Sequence, residues 1–509
     1  MLKNKKIFKL TALMMCFISI FLMAAPVKAE ASSEFSKVNL YFVRHGKTIL
    51  NTLDRVQGWS DSPLTEQGVD VAKNTACGLS EIAFDSVYSS DRMRTVETAQ
   101  IILAANKAGS SRDIIKMAGL RESNFGKFEG ELNGIMWGEV FKVLGISSID
   151  ELMELEDGTA KALDTLAEID ETGEAESHEE VASRLMKAVN TIIHEAQTNG
   201  DQNVLIVGHG AAIATILGEM SGQTLIAPEN ASISLVEYGN GSYQLVSVGD
   251  MSYAERGKAM RANMPAEKTS ESGAETGIAE GKETGEVVVY LTRHGKTVFN
   301  TMDRVQGWVD SPLTKAGIEV AVNLGKGVSD VEFSEVYTSD MGRTIETAEI
   351  VLSNNKTGKN LNINEVPGLR ETYYGKFESG FNKDMLEAAM GPLGLSSLEE
   401  LFALDDMVNK VINALHELDE TGKAENYEMM STRVFTAFDG VCKKAAANGG
   451  GNILVVSHGN AIMAILDLAG GADVNEISNA SVTKIIYKDG VYKVESVNDM
   501  SYAEAGARK

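Results

Sequence analysis

Tyr41-Phe42-Val43-Arg44-His45-Gly46-Lys47-Thr48 is the stretch on which the fold turns, and it occurs twice, the second time as Tyr290-Leu291-Thr292-Arg293-His294-Gly295-Lys296-Thr297. Each copy is an apolar, β-forming run that stops at Arg-His-Gly. That pattern is a strand delivering its last residues into a loop. In open α/β sheets the carboxyl ends of the strands are where ligands bind. An imidazole beside a guanidinium at such an edge suits chemistry on an anion, phosphate before others.

The repeat extends through the chain. Arg44 and Arg293, Arg94 and Arg343, Glu122 and Glu371, and His209 and His458 are all 249 positions apart (293 − 44, and likewise for the rest). A constant offset means no net insertion between these landmarks, so one domain has been duplicated. The expected domains cover 37–254 and 287–505. Residues 255–286 between them are rich in Glu, Lys, Gly, Ala, Ser and Thr and poor in large apolar residues, as a flexible solvated linker would be.

Within the first half, strands are expected at 38–43, 84–89, 203–207, 230–237 and 243–248. Helices are expected at 65–79, capped by Thr65, and at 93–105 and 211–220. Strands alternating with helices imply a parallel-type, three-layer α/β/α domain. The mostly helical stretch 131–199 interrupts the alternation and is expected to cap the strand ends.

Length and composition agree. The chain has 509 residues, 43% hydrophobic and 23% charged, which is soluble, globular and too long for one core. Its net charge of −25 argues against a nucleic-acid partner. An anionic substrate must then be captured by local arginines against the overall field. At the start, Lys3, Lys5, Lys6 and Lys9 precede an apolar run over 10–25 and then Val27-Lys28-Ala29. These are the basic, apolar and small-residue parts of a secretory signal peptide, 1–29, cut after Ala29. The mature chain is therefore expected outside the cytoplasm, with no membrane span. Its two cysteines, Cys77 and Cys442, have no counterparts across the repeat and are expected as free thiols.

Two strands in each half end in His-Gly, at His45-Gly46 and His209-Gly210 in the first. Parallel strands would bring both imidazoles to one sheet edge. Ser89-Ser90-Asp91-Arg92-Met93-Arg94 opens a helix after another strand and adds Arg94 there. Leu120-Arg121-Glu122 adds a carboxyl. Two arginines beside the histidines would repel a divalent cation, so no metal is expected.

These motifs resemble the histidine phosphatase superfamily, in the branch that holds phosphoglycerate mutases and related phosphatases. The resemblance rests on Arg44-His45-Gly46-Lys47-Thr48 with Asn51, Gln57-Gly58-Trp59, and Asp61-Ser62-Pro63-Leu64-Thr65. It continues through Ser89-Ser90-Asp91 with Arg94, Glu97-Thr98-Ala99, Leu120-Arg121-Glu122 with Gly126, and Gly208-His209-Gly210. The second half repeats every motif with small changes.

The resemblance implies two tandem phosphoglycerate mutase-like domains, each with a helical cap. It makes His45 the nucleophile that forms a phosphohistidine. Arg44, Arg94 and His209 would hold the equatorial oxygens, and Glu122 would be the general acid and base. In the second half these roles fall on His294, Arg293, Arg343, His458 and Glu371. Asn51, Gln57 and Gly58, with Asn300, Gln306 and Gly307, would line the phosphate pocket. The implied partner is a small phosphorylated substrate, with no cofactor.

A neutral His45 beside a protonated Glu122 implies an acidic to mildly acidic optimum. Mutases of this branch follow the glutamate with an arginine that grips a carboxylate, whereas here Glu122 precedes Ser123-Asn124-Phe125 and Glu371 precedes Thr372-Tyr373-Tyr374. Hydrolysis is therefore expected. The alternatives are a mutase-like phosphotransferase, or a phospho-ligand binder with one inactive domain. Ala211 opposite Asn460, and cap sequences that diverge, imply overlapping but unequal substrate preferences. Trp59 and Trp308 are expected to pack their loops, and His178 is a candidate substrate contact.

Overall fold

The structure, a computed structural model, describes residues 37–107, 112–263, 285–471, 474 and 476–509. The expected signal peptide lies outside these residues, as do 264–284 of the expected linker.

The first half is built on β1 (Val38–Arg44), β2 (Ser86–Ser89), β3 (Ile114–Lys116), β4 (Asn203–Gly208), β5 (Ile233–Gly239) and β6 (Ser242–Asp250). They form one sheet in the order β3-β2-β4-β1-β5-β6. The first four strands in that order run parallel. The last two are antiparallel, so the sheet is mixed rather than wholly parallel. The hairpin β5–β6 needs only a tight turn, with Asn240 and Gly241 at positive φ, where a parallel pair would need a crossover. β3, three residues long, carries too short a pattern to be read from sequence.

β1 is apolar along nearly its whole length because helices cover both faces of the sheet. Leu40 and Phe42 pack with Leu185, Val189 and Ile192 of the helix His178–Asn199 and with Ile213 of Gly210–Ser221. Tyr41 and Val43 point the other way, onto Ala76 and Leu79 beside Ile102 of the helix Met93–Ala105. The helix Glu66–Gly78 starts as expected: Thr65 accepts from the Gly68 N–H. The cap is smaller than its sequence suggests. Helices Asn133–Leu144, Ile149–Glu154 and Gly158–Ile169 share a separate core with Val56 and Phe128, whereas His178–Asn199 packs under the sheet.

The second half repeats this with β7 (Val287–Arg293), β8 (Phe333–Thr338), β9 (Ile363–Glu365), β10 (Gly451–Ser457), β11 (Val482–Lys488) and β12 (Val491–Asp499), in the order β12-β11-β7-β10-β8-β9. The expected boundary at 254 is too early. Residues 255–262 lie in the helix Ser252–Ala262, which packs on Glu66–Gly78, and Arg261 donates to Asp70 and Asn74. Its Glu, Lys, Arg and Ala are as natural on an exposed helix as in a linker, which is why composition misplaced it. Ser501–Ala507 likewise packs on Lys315–Gly327 and runs past 505.

The halves meet through matching positions. Asp61 and Asp310, 249 apart, exchange backbone hydrogen bonds of 2.8 and 2.7 Å. Gly130 and Ser379, also 249 apart, meet where the Ser379 hydroxyl donates to the Gly130 carbonyl at 3.0 Å. Arg55 and Arg304 each donate to both of those carbonyls. Leu50 and Phe299 share one apolar cluster. Such a contact is isologous, the kind two copies of one subunit make in a twofold dimer. Gly130 sits at φ +75°, and a Cβ there would stand 2.1 Å from the Ser379 hydroxyl and 2.6 Å from Phe299.

Candidate active site

β1 and β4 run parallel with Arg44 opposite Gly208. The next residue of each strand is a histidine, so His45 and His209 come side by side. Their ring centroids are 5.5 Å apart, and those of His294 and His458 are 5.3 Å apart.

Hydrogen bonds assign different tautomers to the two rings. His45 Nδ1 lies 2.8 Å from the carbonyl of Gly46, which can only accept, so Nδ1 holds the proton and Nε2 keeps its lone pair. His209 Nδ1 accepts from Arg94 Nε at 3.0 Å, so its proton is on Nε2. His294 and His458 repeat the arrangement through Gly295 and Arg343. Each site thus pairs a bare imidazole nitrogen with an imidazole donor. Burial, then the Arg94 and Arg44 charges, hold His45 well below the ordinary histidine range, and burial and Arg94 do the same to His209. His294 and His458 are lowered by burial and then Arg343. All four rings are therefore neutral near pH 7.

Among the described residues some buried donors have no protein partner. Arg44 donates through Nη1 to the Pro228 carbonyl at 2.6 Å, but its Nε is unpaired, as is His209 Nε2. In the second site Arg293 Nε is unpaired, while His458 Nε2 has Ser339 Oγ at 2.8 Å. A buried N–H left empty costs about 1–3 kcal/mol, which an incoming anion would offset. Arg94 is differently employed. It donates to His209 Nδ1, to the carbonyls of Ser60 and Gly58, and to Asp61. Arg343 makes the equivalent bonds to His458, Val309, Gly307 and Asp310. These arginines set a tautomer and hold a loop, and one N–H of Arg94 remains for a bound anion.

Glu122 lies at the start of the helix Gly210–Ser221. Its Oε1 accepts from the backbone N–H of Ser123 and Ala212, and its Oε2 from Ala211 at 2.9 Å. Burial pushes its pKa up, outweighing these bonds. Glu371 is held by the N–H groups of Thr372 and Asn460. In the second half, Arg293, Asn300, Gln306 and Glu371 line a single cavity of 440 Å³. Asn51 and Gln57 sit on the loop after His45, where Asn51 Oδ1 accepts from the Thr48 N–H and Gln57 Oε1 from the Thr48 hydroxyl.

Gly58 and Gly307 depart from expectation. The Gly58 N–H donates to Glu129 and its carbonyl accepts from Arg94, and Gly307 is bound in the same way by Glu378 and Arg343. Their backbone groups hold the loop instead of lining the pocket. Trp59 packs as expected, its indole N–H donating to the Glu122 carbonyl at 3.1 Å. His178 faces Glu219 at 3.8 Å and lines a separate groove with Thr159 and Gln223.

Sequence reasoning missed the residues behind the site. Glu129 accepts from the N–H groups of Gly58, Trp59, Ser60 and Phe125, gathering the Gln-Gly-Trp loop onto one carboxylate. Glu378 does the same in the second half, where burial pushes it up to about 7. Arg184, paired with Glu176, donates to the carbonyls of Gly119, Arg121 and Glu122. Gly-Lys-Phe-Glu, identical at 126–129 and 375–378, was the available signal. Among the described residues no cluster of three or more His, Cys, Asp or Glu could hold a metal ion.

The model of the histidine phosphatase superfamily (branch 1) matches residues 40–251 and 289–500. A metal-independent phosphoserine phosphatase of Arabidopsis thaliana is 26% identical over 216 residues, 42% of this chain and 82% of its own. A protein of Escherichia coli O1:K1 / APEC named "Probable phosphoglycerate mutase GpmB" is 32% identical over 206 residues, 40% of this chain and 85% of its own. The crystal structure of a phosphoglycerate mutase from Bacillus anthracis str. Sterne is 42% identical, covering 44% of this chain and 98% of its own, at a TM-score of 0.42.

Proposed function

The chain belongs to the histidine phosphatase superfamily, branch 1, and we propose that both halves are metal-independent phosphomonoester hydrolases that act outside the cytoplasm through a phosphohistidine. The observation that carries this is the bare Nε2 of His45 beside unfilled donors on Arg44 and His209. A lone pair facing a cradle of buried N–H groups is the arrangement that in-line attack on a phosphoryl group requires.

In the first step His45 Nε2 forms a bond to phosphorus while the P–O bond to the alcohol breaks. The alcohol oxygen leaves with the proton of Glu122. Arg44 and His209, with the remaining N–H of Arg94, donate to the phosphoryl oxygens, each on the order of 3 kcal/mol in the transition state. A water then attacks phosphorus and gives its proton to the Glu122 carboxylate. The N–P bond breaks and phosphate leaves. His294, Arg293, His458, Arg343 and Glu371 take the same roles in the second half.

Hydrolysis is favoured over mutase chemistry by the cations lining the second cavity. These are Arg293 and Arg304, and Arg304 is committed to the Ser379 carbonyl and to Glu131. Among the described residues that line it, this leaves the phosphate-facing arginine alone for a substrate carboxylate. The basic and apolar opening of the chain supports export, away from the phosphoglycerates of the cytoplasm. The test is phosphate release from an aryl phosphate by the chain from residue 30 onward, with and without chelator. Activity should survive the chelator, fall with His45→Ala or His294→Ala, and vanish in the double variant. Activity that survives both substitutions would reject the mechanism.

A further inference from the structure

The two halves differ beside their Gln-Gly-Trp loops. Trp59 and Trp308 hold matching positions, and each indole N–H donates to a glutamate's backbone carbonyl, that of Glu122 at 3.1 Å and that of Glu371 at 3.0 Å. Each ring also carries an arginine, Arg121 at 4.9 Å from the first centroid and Arg370 at 4.6 Å from the second. In the second half a further group lies on the indole. Tyr373 stacks on Trp308, with ring centroids 4.8 Å apart and planes inclined by 26°. The residue 249 positions earlier is Asn124, and among the described residues no aromatic ring stacks on Trp59.

The backbone at the two positions is the same. The Asn124 N–H donates to Glu176 at 2.9 Å and the Tyr373 N–H to Glu425 at 2.9 Å, and each carbonyl accepts from the N–H of that same glutamate. Only the side chain departs. Asn124 Oδ1 turns back to accept from the Gly126 N–H at 3.0 Å, which leaves the indole uncovered. Beside it lies a cavity of 510 Å³, lined by Trp59 and Asn124 from the first half and by Met302, Pro312, Leu313 and Ile318 from the second. Its size falls within the range of small-molecule sites, about 300–1,000 Å³ and mostly apolar. Arg121 does not line it, so the cavity meets a part of the ring that the guanidinium leaves free.

Charge narrows the occupant. The charged residues of the lining are Glu129, Glu174, Lys296 and Lys315, which balance. Glu129 is committed to backbone N–H groups, and Lys315 faces Glu174 at 4.0 Å. A balanced, largely apolar lining favours an uncharged molecule. The joining segment 264–284 contains no Phe, Tyr or Trp and cannot supply a ring itself.

We infer that this cavity between the halves binds an uncharged planar aromatic molecule, which stacks on Trp59 as Tyr373 stacks on Trp308. One copy of the repeat supplies the ring from its own sequence, and the other takes it from solution. The site lies apart from the phosphate-facing residues and stands whether or not either half hydrolyses phosphoesters.

The test is the indole N–H NMR spectrum of the full chain, whose three tryptophans are isotope-labelled at the ring nitrogen and assigned through Trp137→Phe and Trp308→Phe. The probe is p-cresol, the tyrosine side chain as a free molecule. Its control is 4-methylcyclohexanol, the saturated, non-planar counterpart. The Trp59 signal should shift saturably with p-cresol, at a Kd on the order of 5 mM for so small a molecule, while the Trp308 signal stays still. The control should bind about fivefold more weakly, because a stacked aromatic pair gains more than its buried area. Asn124→Tyr, which installs the residue of the second half, should abolish the Trp59 response. Tyr373→Asn should make Trp308 respond as well. A Trp59 signal that does not move, that moves alike with both molecules, or that still moves in Asn124→Tyr would overturn the inference, as would a Trp308 signal that stays still in Tyr373→Asn.

Discussion

At the scale of single residues, the proposed mechanism works by assigning protons. His45 must be neutral to attack, and burial with the adjacent Arg94 and Arg44 keeps it so well below its ordinary value of 6.5. Glu122 must start protonated, and burial raises its pKa from 4.5. With His294→Ala silencing the second site, kcat/KM should therefore be highest in the acidic to mildly acidic range. It should decline as Glu122 ionises, and a rate still rising above about pH 8 would contradict this. The same histidines couple to stability. A folded pKa below the unfolded value means that the unfolded chain binds the extra protons. The contribution of the neutral rings is thus complete above about 6.5 and is lost as pH falls below it. Arg94 is the positioning residue on which the second imidazole depends. Arg94→Lys keeps the charge but cannot make four directed bonds at once. It should lower kcat at the first site about 100-fold, a loss of one preorganised donor. Unchanged kcat would show that the His209 tautomer is not set by Arg94.

At the scale of elements, the strands that deliver chemistry were legible because their sequences are apolar runs ending in Arg-His-Gly or Gly-His-Gly. The helix Met93–Ala105 falls on its expected residues, and the two histidines do meet at one sheet edge. What could not be read was the support behind them. A glutamate that gathers four backbone N–H groups gives no periodic signal, because three of its partners lie in a loop about 70 residues earlier. Gly58 was assigned to the pocket for the same reason, since a sequence does not say which atom a backbone amide will face. Glu129→Ala should leave those four donors without an acceptor and lower stability by about 3–5 kcal/mol, with loss of turnover at the first site. Chemical denaturation of this variant beside the parent measures it, and a change below about 1 kcal/mol would remove Glu129 from its proposed role.

At the scale of the whole molecule, one chain contains what resembles a twofold dimer of its own halves. The constant offset of 249 revealed the duplication, but a repeat does not say whether its copies touch. The exchange between Asp61 and Asp310 and the Gly130–Ser379 contact show that they do. A protease site placed within 264–284 should therefore give two fragments that still elute together, and Gly130→Val should separate them by forcing a side chain against Ser379 and Phe299. Fragments that separate without the substitution would contradict a self-sufficient interface. Both halves also carry the full constellation, so the central claim is two phosphohistidine sites per chain. The direct measurement is alkali-quenched, acid-labile incorporation of phosphate from a radiolabelled phosphoester. The account predicts label in the parent, label at the remaining histidine in His45→Ala and in His294→Ala, and none in the double variant. Label that persists in the double variant would contradict it.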